Sequence, residues 1–274
     1  MAAGVDALRA AANATQLAAM ATAMFERDLQ IVLSPTRQEH DREVSVLDRL
    51  HGVTDGSLII LPAESSEELE RHLDNGFRFV VVDPLMRLDE RIPSVSAANI
   101  SGADQAMRHL LDLGHRRIAQ IAGPSGWLAT EDRRRGYRAA LASAGILPDP
   151  TLEVESIPEI DPGRDAAASL LALPDPPTAI FAFNDDTAIG AIQAARARGL
   201  RVPEDLSIVG FDDVEHATIV SPALTTVRQP LAEMGRTAVS ILSRLLEGQS
   251  FETLHVELAT RLVVRDSTAP PKRA

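Results

Sequence analysis

From residue 29 onward the chain alternates short aliphatic or β-branched runs with stretches whose apolar residues recur at three and four. Few folds accept that alternation. Candidate strands are Gln30–Leu33, Ser57–Leu61, Phe79–Val82, Val95–Ala98, Ile118–Ala122, Ala179–Phe183 and Ser207–Gly210, with Leu254–Leu258 and Thr260–Val264 near the end. Strands separated by helices imply parallel sheets covered by helices on both faces. Several runs are apolar throughout, as strands buried on two sides must be. One sheet holding every unit would be unusually wide, whereas two doubly wound lobes of roughly 100–150 residues match ordinary domain sizes. A closed eightfold barrel is the competitor. The irregular segment 212–230 and the antiparallel-looking pair after Gly248 count against it.

Composition narrows the chemistry. The 274 residues are 45% hydrophobic but only 3% aromatic, so the core must be aliphatic. Cysteine is absent, which removes disulfides, thiolate metal sites and a Cys nucleophile together. A formal charge of −12 opposes nucleic-acid binding by this chain itself, because phosphate binding needs clustered Lys and Arg. The basic groups His115-Arg116-Arg117 and Arg133-Arg134-Arg135 are short and read first as solvated faces. Residues 1–28 include Asp6, Arg9, Glu26, Arg27 and Asp28, and neither a signal peptide nor a membrane span is legible there. The expectation is a cytoplasmic protein.

Helix punctuation is clear in places. Thr130 is expected to cap a helix running from Glu131 to Ala144, with Gly145 just past its end. Asp185 or Asp186 is expected to cap the next one, which Gly199 and Pro203 terminate. A long amphipathic helix repeats Leu231, Met234, Ala238, Ile241, Leu242 and Leu245 until Gly248. Ser267–Ala274 reads as a frayed tail.

Catalytic signatures are missing. There is no G-x-S-x-G elbow, P-loop, G-x-G-x-x-G or H-E-x-x-H, and His109 and His115 are poorly spaced for a shared metal. No enzyme, cofactor or metal is expected. What remains is a set of polar residues at the carboxyl ends of apolar runs: Asp83, Asn99, Asn184 and Asp212. Each alone could be a turn former or helix cap. Together, at strand ends where open α/β sheets bind ligands, they suit a polyhydroxylated molecule. Trp127, the only tryptophan, follows a strand and suits either stacking on a sugar face or packing at a rim.

Several motifs then arrive in one order. They are Leu110-Leu-Asp-Leu-Gly-His-Arg-Arg-Ile118, Ile121-Ala-Gly-Pro124, Arg133-Arg-Arg-Gly-Tyr137 and Pro177-Thr-Ala-Ile-Phe-Ala-Phe-Asn-Asp185. Gly199-Leu-Arg-Val-Pro-Glu-Asp-Leu-Ser-Ile-Val-Gly-Phe-Asp-Asp213 and Pro222-Ala-Leu-Thr-Thr-Val-Arg-Gln229 follow. Over roughly residues 29–269 the chain resembles the effector-binding core of the lactose-repressor (LacI/GalR) family of bacterial transcription regulators.

The resemblance implies an α/β fold of two periplasmic-binding-protein-like (type I) lobes, doubly wound, joined by three crossovers, with a ligand cleft between them. It places residues 1–112 and 229–258 in the first lobe, and 113–228 and 259–274 in the second. By the same resemblance Arg133, Asn184 and Asp212 meet a small effector, a mono- or oligosaccharide. Asn99 and Ser101 fall in a ligand-contacting loop, with Asp83 near it and Asn13 a weaker candidate. Asn184 faces the cleft while Asp185 starts a helix.

A homodimer is implied too, with segments Glu39–Leu50, Leu61–Leu73 and Glu215–Pro222 available to pair. The family's helix-turn-helix and hinge helix are not legible, so operator binding is expected only where such a segment is supplied upstream. A truncated gene is one expectation, and Val5–Asn13 reads more as helix than as the family's first strand. A secreted sugar receptor feeding a transporter is the alternative.

Overall fold

The computed structural model describes residues 11–36, 39–249 and 255–272, and the side chains of 11–13 lie outside the description. The chain divides into two compact units. Unit 1 comprises Met1–Ala97 with Pro230–Leu258, and unit 2 comprises Ala98–Gln229 with Ala259–Ala274. The chain therefore passes from one unit to the other three times. The first passage falls at Ala97–Ala98 rather than after 112, because the helix Asn99–Asp112 packs on unit 2.

Unit 1 holds the helices α1 (Ala11–Phe25), α2 (His40–Leu50) and α3 (Ser66–Asp74) and the strands β1 (Ser57–Ile60), β2 (Phe79–Val82) and β3 (Ser94–Ala97). After unit 2 has intervened, α9 (Leu231–Leu246) and β9 (His255–Leu258) complete it. Its sheet is parallel, in the order β1-β2-β3-β9. The period of two along β2 divides the core. Val80 and Val82 face Met20, Ala23, Met234, Ala238 and Leu242 of α1 and α9, while Phe79 and Val81 face Leu47 and Leu69 of α2 and α3. The apolar stripe of α9 is buried as its spacing requires. Ser65 and Glu68 form a reciprocal capping box at the start of α3.

Unit 2 runs α4 (Asn99–Asp112), β4 (Ile118–Ala122), α5 (Leu128–Ser143), β5 (Glu153–Glu155), α6 (Ile160–Leu170), β6 (Ala179–Ala182) and α7 (Asp185–Ala197). It continues with β7 (Ser207–Asp212), α8 (His216–Ile219), β8 (Thr225–Arg228) and β10 (Arg261–Val263). The strand order is β10-β8-β7-β6-β4-β5, parallel except for β10 against β8. Ala119, Ile121, Ile180 and Ile208 face α6 and α7, and Ile118, Phe181, Val209 and Phe211 face α4 and α5. On that second face the helices α4 and α5 approach so closely that a Cβ at Gly136 would lie 2.7 Å from the Ala103 Cβ. Two open, doubly wound sheets replace the barrel alternative.

Four sequence expectations need correction. Gln30–Leu33 forms no strand; it is irregular, Ile31, Val32 and Leu33 are exposed, and among the described residues no strand pairs with them. The helix expected from Glu131 begins at Leu128, so Thr130 sits buried within its first turn and cannot cap it. Asn184, not either aspartate, caps α7. The expected frayed tail is fastened: Ser267 is fully buried, its hydroxyl donates to the Ile208 carbonyl at 2.6 Å, and it accepts the Thr225 N–H at 2.8 Å. The last two residues of that tail lie outside the described residues. The strands β5 and β8 were not legible, β5 because it is short and charged and β8 because its sequence, Thr-Thr-Val-Arg, carries one aliphatic residue.

Candidate functional site

Within unit 2, Arg133 of α5 is the centre of a polar cluster at the carboxyl end of the sheet. Only 4% of the residue is exposed. Its Nε donates to Asn99 Oδ1 at 2.9 Å, and one terminal nitrogen donates to the Phe183 carbonyl. The other terminal nitrogen lies 3.8 Å from Asp212 Oδ1. The guanidinium carbon stands 3.7 Å from the Phe211 ring centroid and 4.5 Å from that of Phe183. A charge held between aromatic faces, with carbonyl acceptors fixing its plane, has little freedom left to reorient. Two carboxylates of its own helix start pair with neighbouring arginines, Glu131 with Arg134 at 2.7 Å and Asp132 with Arg135 at 3.6 Å.

Asp212 ends β7 in an unusual backbone conformation. Its φ is 108° and that of Asp213 is 59°, both in the region that L residues avoid. Such strain persists only where neighbours fix it, and it gathers at functional sites. Here the fixing groups are explicit. The Asp213 carboxylate is clasped by Arg228 and Arg265, and the Gln229 amide donates to Asp212. Asp185, at the start of α7 and wholly enclosed, accepts the Val214 N–H at 2.9 Å and the Thr226 hydroxyl. Burial, then the charge of Asp212, hold the Asp185 acid well above the usual carboxylate range. Gly210 leaves the space for it, since a side chain there would strike the Asp185 carboxylate.

The other expected residues are distributed as follows. Asn99 and Ser101 lie in the first turn of α4 rather than in a loop; Asn99 is buried against Arg133, while Ser101 is exposed and accepts from Gln105 Nε2 at 3.3 Å. Asn184 Oδ1 accepts both the N–H and the hydroxyl of Thr187, at 2.9 and 2.7 Å, and Nδ2 donates to the Pro158 carbonyl at 3.3 Å. An amide has two donors, so one N–H remains beyond that bond. Trp127 is half-buried just before α5, edge-on to Phe183 at 6.3 Å between ring centroids. Arg133, Asn99 and Asp212 thus meet, and Trp127 joins them through Phe183.

Asp83 belongs to unit 1. It follows β2 with φ 52°, and its Oδ2 accepts from Nε2 of the buried Gln16 at 3.1 Å. Gln16 escaped the sequence reading because it looks like an ordinary polar position of α1. The Asn13 side chain lies outside the described residues. Phe183 and Phe211 were missed as partners of Arg133, although both end apolar strand runs directly before the polar motifs. Among the described residues no group of three or more His, Cys, Asp or Glu could hold a metal ion, and no helix is long and apolar enough to cross a membrane.

Residues 107–268 match the model of a periplasmic binding protein-like domain. The HTH-type transcriptional regulator CelR of Thermobifida fusca is 37% identical over 249 residues, 89% of this chain and 72% of that protein. The HTH-type transcriptional repressor CytR of Escherichia coli K12 is 36% identical over 78% of this chain and 62% of its own length. Among solved structures, a transcriptional regulator CelR–cellobiose complex aligns with TM-score 0.88 at 35% identity, over 96% of this chain and 81% of that one. A LacI family regulator from Mycobacterium smegmatis aligns with TM-score 0.85 at 33% identity, covering 96% of each chain. These relatives are transcriptional regulators rather than enzymes or transport receptors. The fold, the match to the binding-protein-like domain and this identity together place the chain in the LacI family of transcriptional regulators.

Proposed function

We propose that the chain is the effector-sensing core of a cytoplasmic, homodimeric LacI-type regulator, and that unit 2 takes a small sugar on Arg133, Asn99 and Asp212. The observation that carries this reading is the Arg133 guanidinium. It is enclosed, oriented by two carbonyl-type acceptors and two aromatic rings, and placed beside a strained aspartate. A planar fork of donors next to a carboxylate and an amide matches the alternating donors and acceptors of sugar hydroxyls. Trp127 offers a partly exposed ring for the apolar face of a pyranose. Asn184, largely spent on capping α7, contributes at most its remaining N–H, and Ser101 is a secondary contact. Solved relatives support a sugar, since one is described with cellobiose and a LacI family regulator from Enterococcus faecium with bound ribose.

Operator binding belongs to this reading only where a helix-turn-helix is joined to the chain, which spans 62–72% of the first curated relatives. A thermal-shift screen of mono- and disaccharides, with cellobiose and ribose included and nucleosides as the contrasting class, tests the ligand class. Stabilisation by nucleosides alone would overturn the sugar. Sedimentation at tens of micromolar tests the dimer.

A further inference from the structure

Two carboxylates of unit 1 are sealed from solvent at one place. Glu43 lies on α2 and is 3% exposed; Glu64 lies in the loop between β1 and α3 and is 0% exposed. Glu43 is well served, since Oε1 accepts the Ala63 N–H at 2.8 Å and Oε2 accepts the Thr36 hydroxyl at 2.9 Å. Glu64 is the opposite case: its two oxygens meet no donor beyond its own backbone N–H. Its carboxyl group faces that of Glu43. The charged groups turned toward Glu64 are Glu43 from α2 and Glu68 from α3, all of one sign. His40 of α2 and Arg71 of α3 pair with Glu68, at 3.0 and 3.5 Å. No described cation forms an ion pair with Glu43 or Glu64.

Two enclosed carboxylates without a counter-charge do not both ionise; the repulsion and the double desolvation are too costly. A single proton resolves the conflict, because it turns two facing acceptors into one charge-assisted O–H···O bond. We propose that Glu64 keeps its proton at neutral pH and donates it to Glu43, so that one proton fastens α2 to the β1–α3 loop and unit 1 loosens as pH rises. Burial first, and Glu43 second, push the Glu64 acid up to about 9. An acid raised in the folded state gives stability that is complete below its unfolded value. That stability declines as pH climbs toward the folded value, here between about 4.5 and about 9.

Infrared spectroscopy of the full chain reads the proton directly. Asp185, whose acid is also raised, carries a carboxylic-acid carbonyl band of its own, so the Glu64 proton is read as the component that is present at neutral pH, fades on alkaline titration, and appears in the wild-type minus Glu64→Gln difference spectrum. Denaturant unfolding followed by circular dichroism supplies the second measurement. The wild-type folding constant should fall by up to about tenfold per pH unit between roughly pH 6 and pH 9. Glu64→Gln, whose amide still donates to Glu43, should flatten that limb and be more stable than wild type at its alkaline end. Absence of an acid band from the difference spectrum, or an equal alkaline fall in Glu64→Gln, would overturn the shared proton. Should Glu64→Gln not fold, Glu43→Gln takes its place, since loss of the facing carboxylate should remove or shift the same component of the acid band.

Discussion

Asp185 Oδ2 accepts the backbone N–H of Val214 at 2.9 Å, and this single bond joins the start of α7 to the strained turn after β7. The same carboxyl group also receives the Thr226 hydroxyl. Truncation in Asp185→Ala leaves a buried N–H and a buried hydroxyl without partners. Each such orphan costs about 1–3 kcal/mol, so a loss of about 2–6 kcal/mol is expected. Trp127, the only tryptophan, lies in unit 2 and reports on that unit by fluorescence. A denaturant transition of Trp127 fluorescence that Asp185→Ala leaves in place would refute the role.

Arg133 should behave differently from a surface arginine. Arg133→Lys keeps the charge but loses the planar fork that fits Asn99, Phe183 and the two rings. Arg133→Ala removes the donors altogether. Both should still fold, and Arg133→Ala should lose about 1.5–3 kcal/mol of effector affinity, which is the worth of charge-assisted bonds. Calorimetry with the sugar found by thermal shift measures this. Equal affinities for wild type and Arg133→Ala would remove Arg133 from the site.

How much of this was legible in the sequence depends on which scale set the structure. Strands buried on two sides, such as Phe79–Val82 and Ile118–Ala122, announce themselves because every residue must be apolar. Asn99, Arg133 and Asp212 were likewise legible, since each follows a strand or belongs to a motif that fixes its place. The joining of Arg133 to Phe183 and Phe211 was not. It depends on three elements, α5, β6 and β7, whose register only the folded sheet defines. Gln30–Leu33 failed for the complementary reason: its apolar pattern is that of a strand, but strand formation needs a neighbour, and the described residues offer none. The fastened tail escaped because Ser267, Thr268 and Ala269 look like linker residues until Ser207 and His115 are seen beside them.

The packing of α4 on α5 yields a steric prediction. A methyl group at Gly136 would sit 2.7 Å from the Ala103 Cβ and within reach of the Ile100 carbonyl, neither of which is a flexible side-chain end. Helix propensity alone would favour Gly136→Ala by about 1 kcal/mol. Overpacking opposes it with about 1–3 kcal/mol, so net destabilisation is expected. The displaced α4 carries Asn99 with it, and effector affinity should fall alongside stability. A variant as stable as wild type in denaturant unfolding would show that the helices separate freely.

His115 makes the tail responsive to acid. Its ring is buried, with Nδ1 2.9 Å from the Thr178 hydroxyl and Nε2 2.9 Å from the Ala269 carbonyl. A carbonyl only accepts, so Nε2 carries the proton and neutral Nδ1 accepts from Thr178. Burial lowers the His115 pKa, and the Ala269 carbonyl offsets part of that effect. His109, which meets the Thr268 hydroxyl at 2.9 Å, is lowered by burial as well. A histidine with a depressed folded pKa gives stability that is present above its unfolded value, about 6.5, and is lost as pH falls through the folded one. The two histidines should therefore weaken unit 2 on acidification below about pH 6.5, against the opposite pull of the raised Asp185 and Asp186 acids, so their share is read from the difference between wild type and variant. His115→Gln, which offers an amide N–H to Ala269 and an acceptor to Thr178, should remove part of that acid-side slope and leave the share due to His109. Removal of residues 268–274 should cost stability at every pH, because it strips the partners of His115, His109 and Ser207 and the Lys272–Asp205 pair. Trp127 fluorescence across a pH series of denaturant titrations measures all three proteins. An acid-side slope unchanged in His115→Gln would show that the clasp does not titrate.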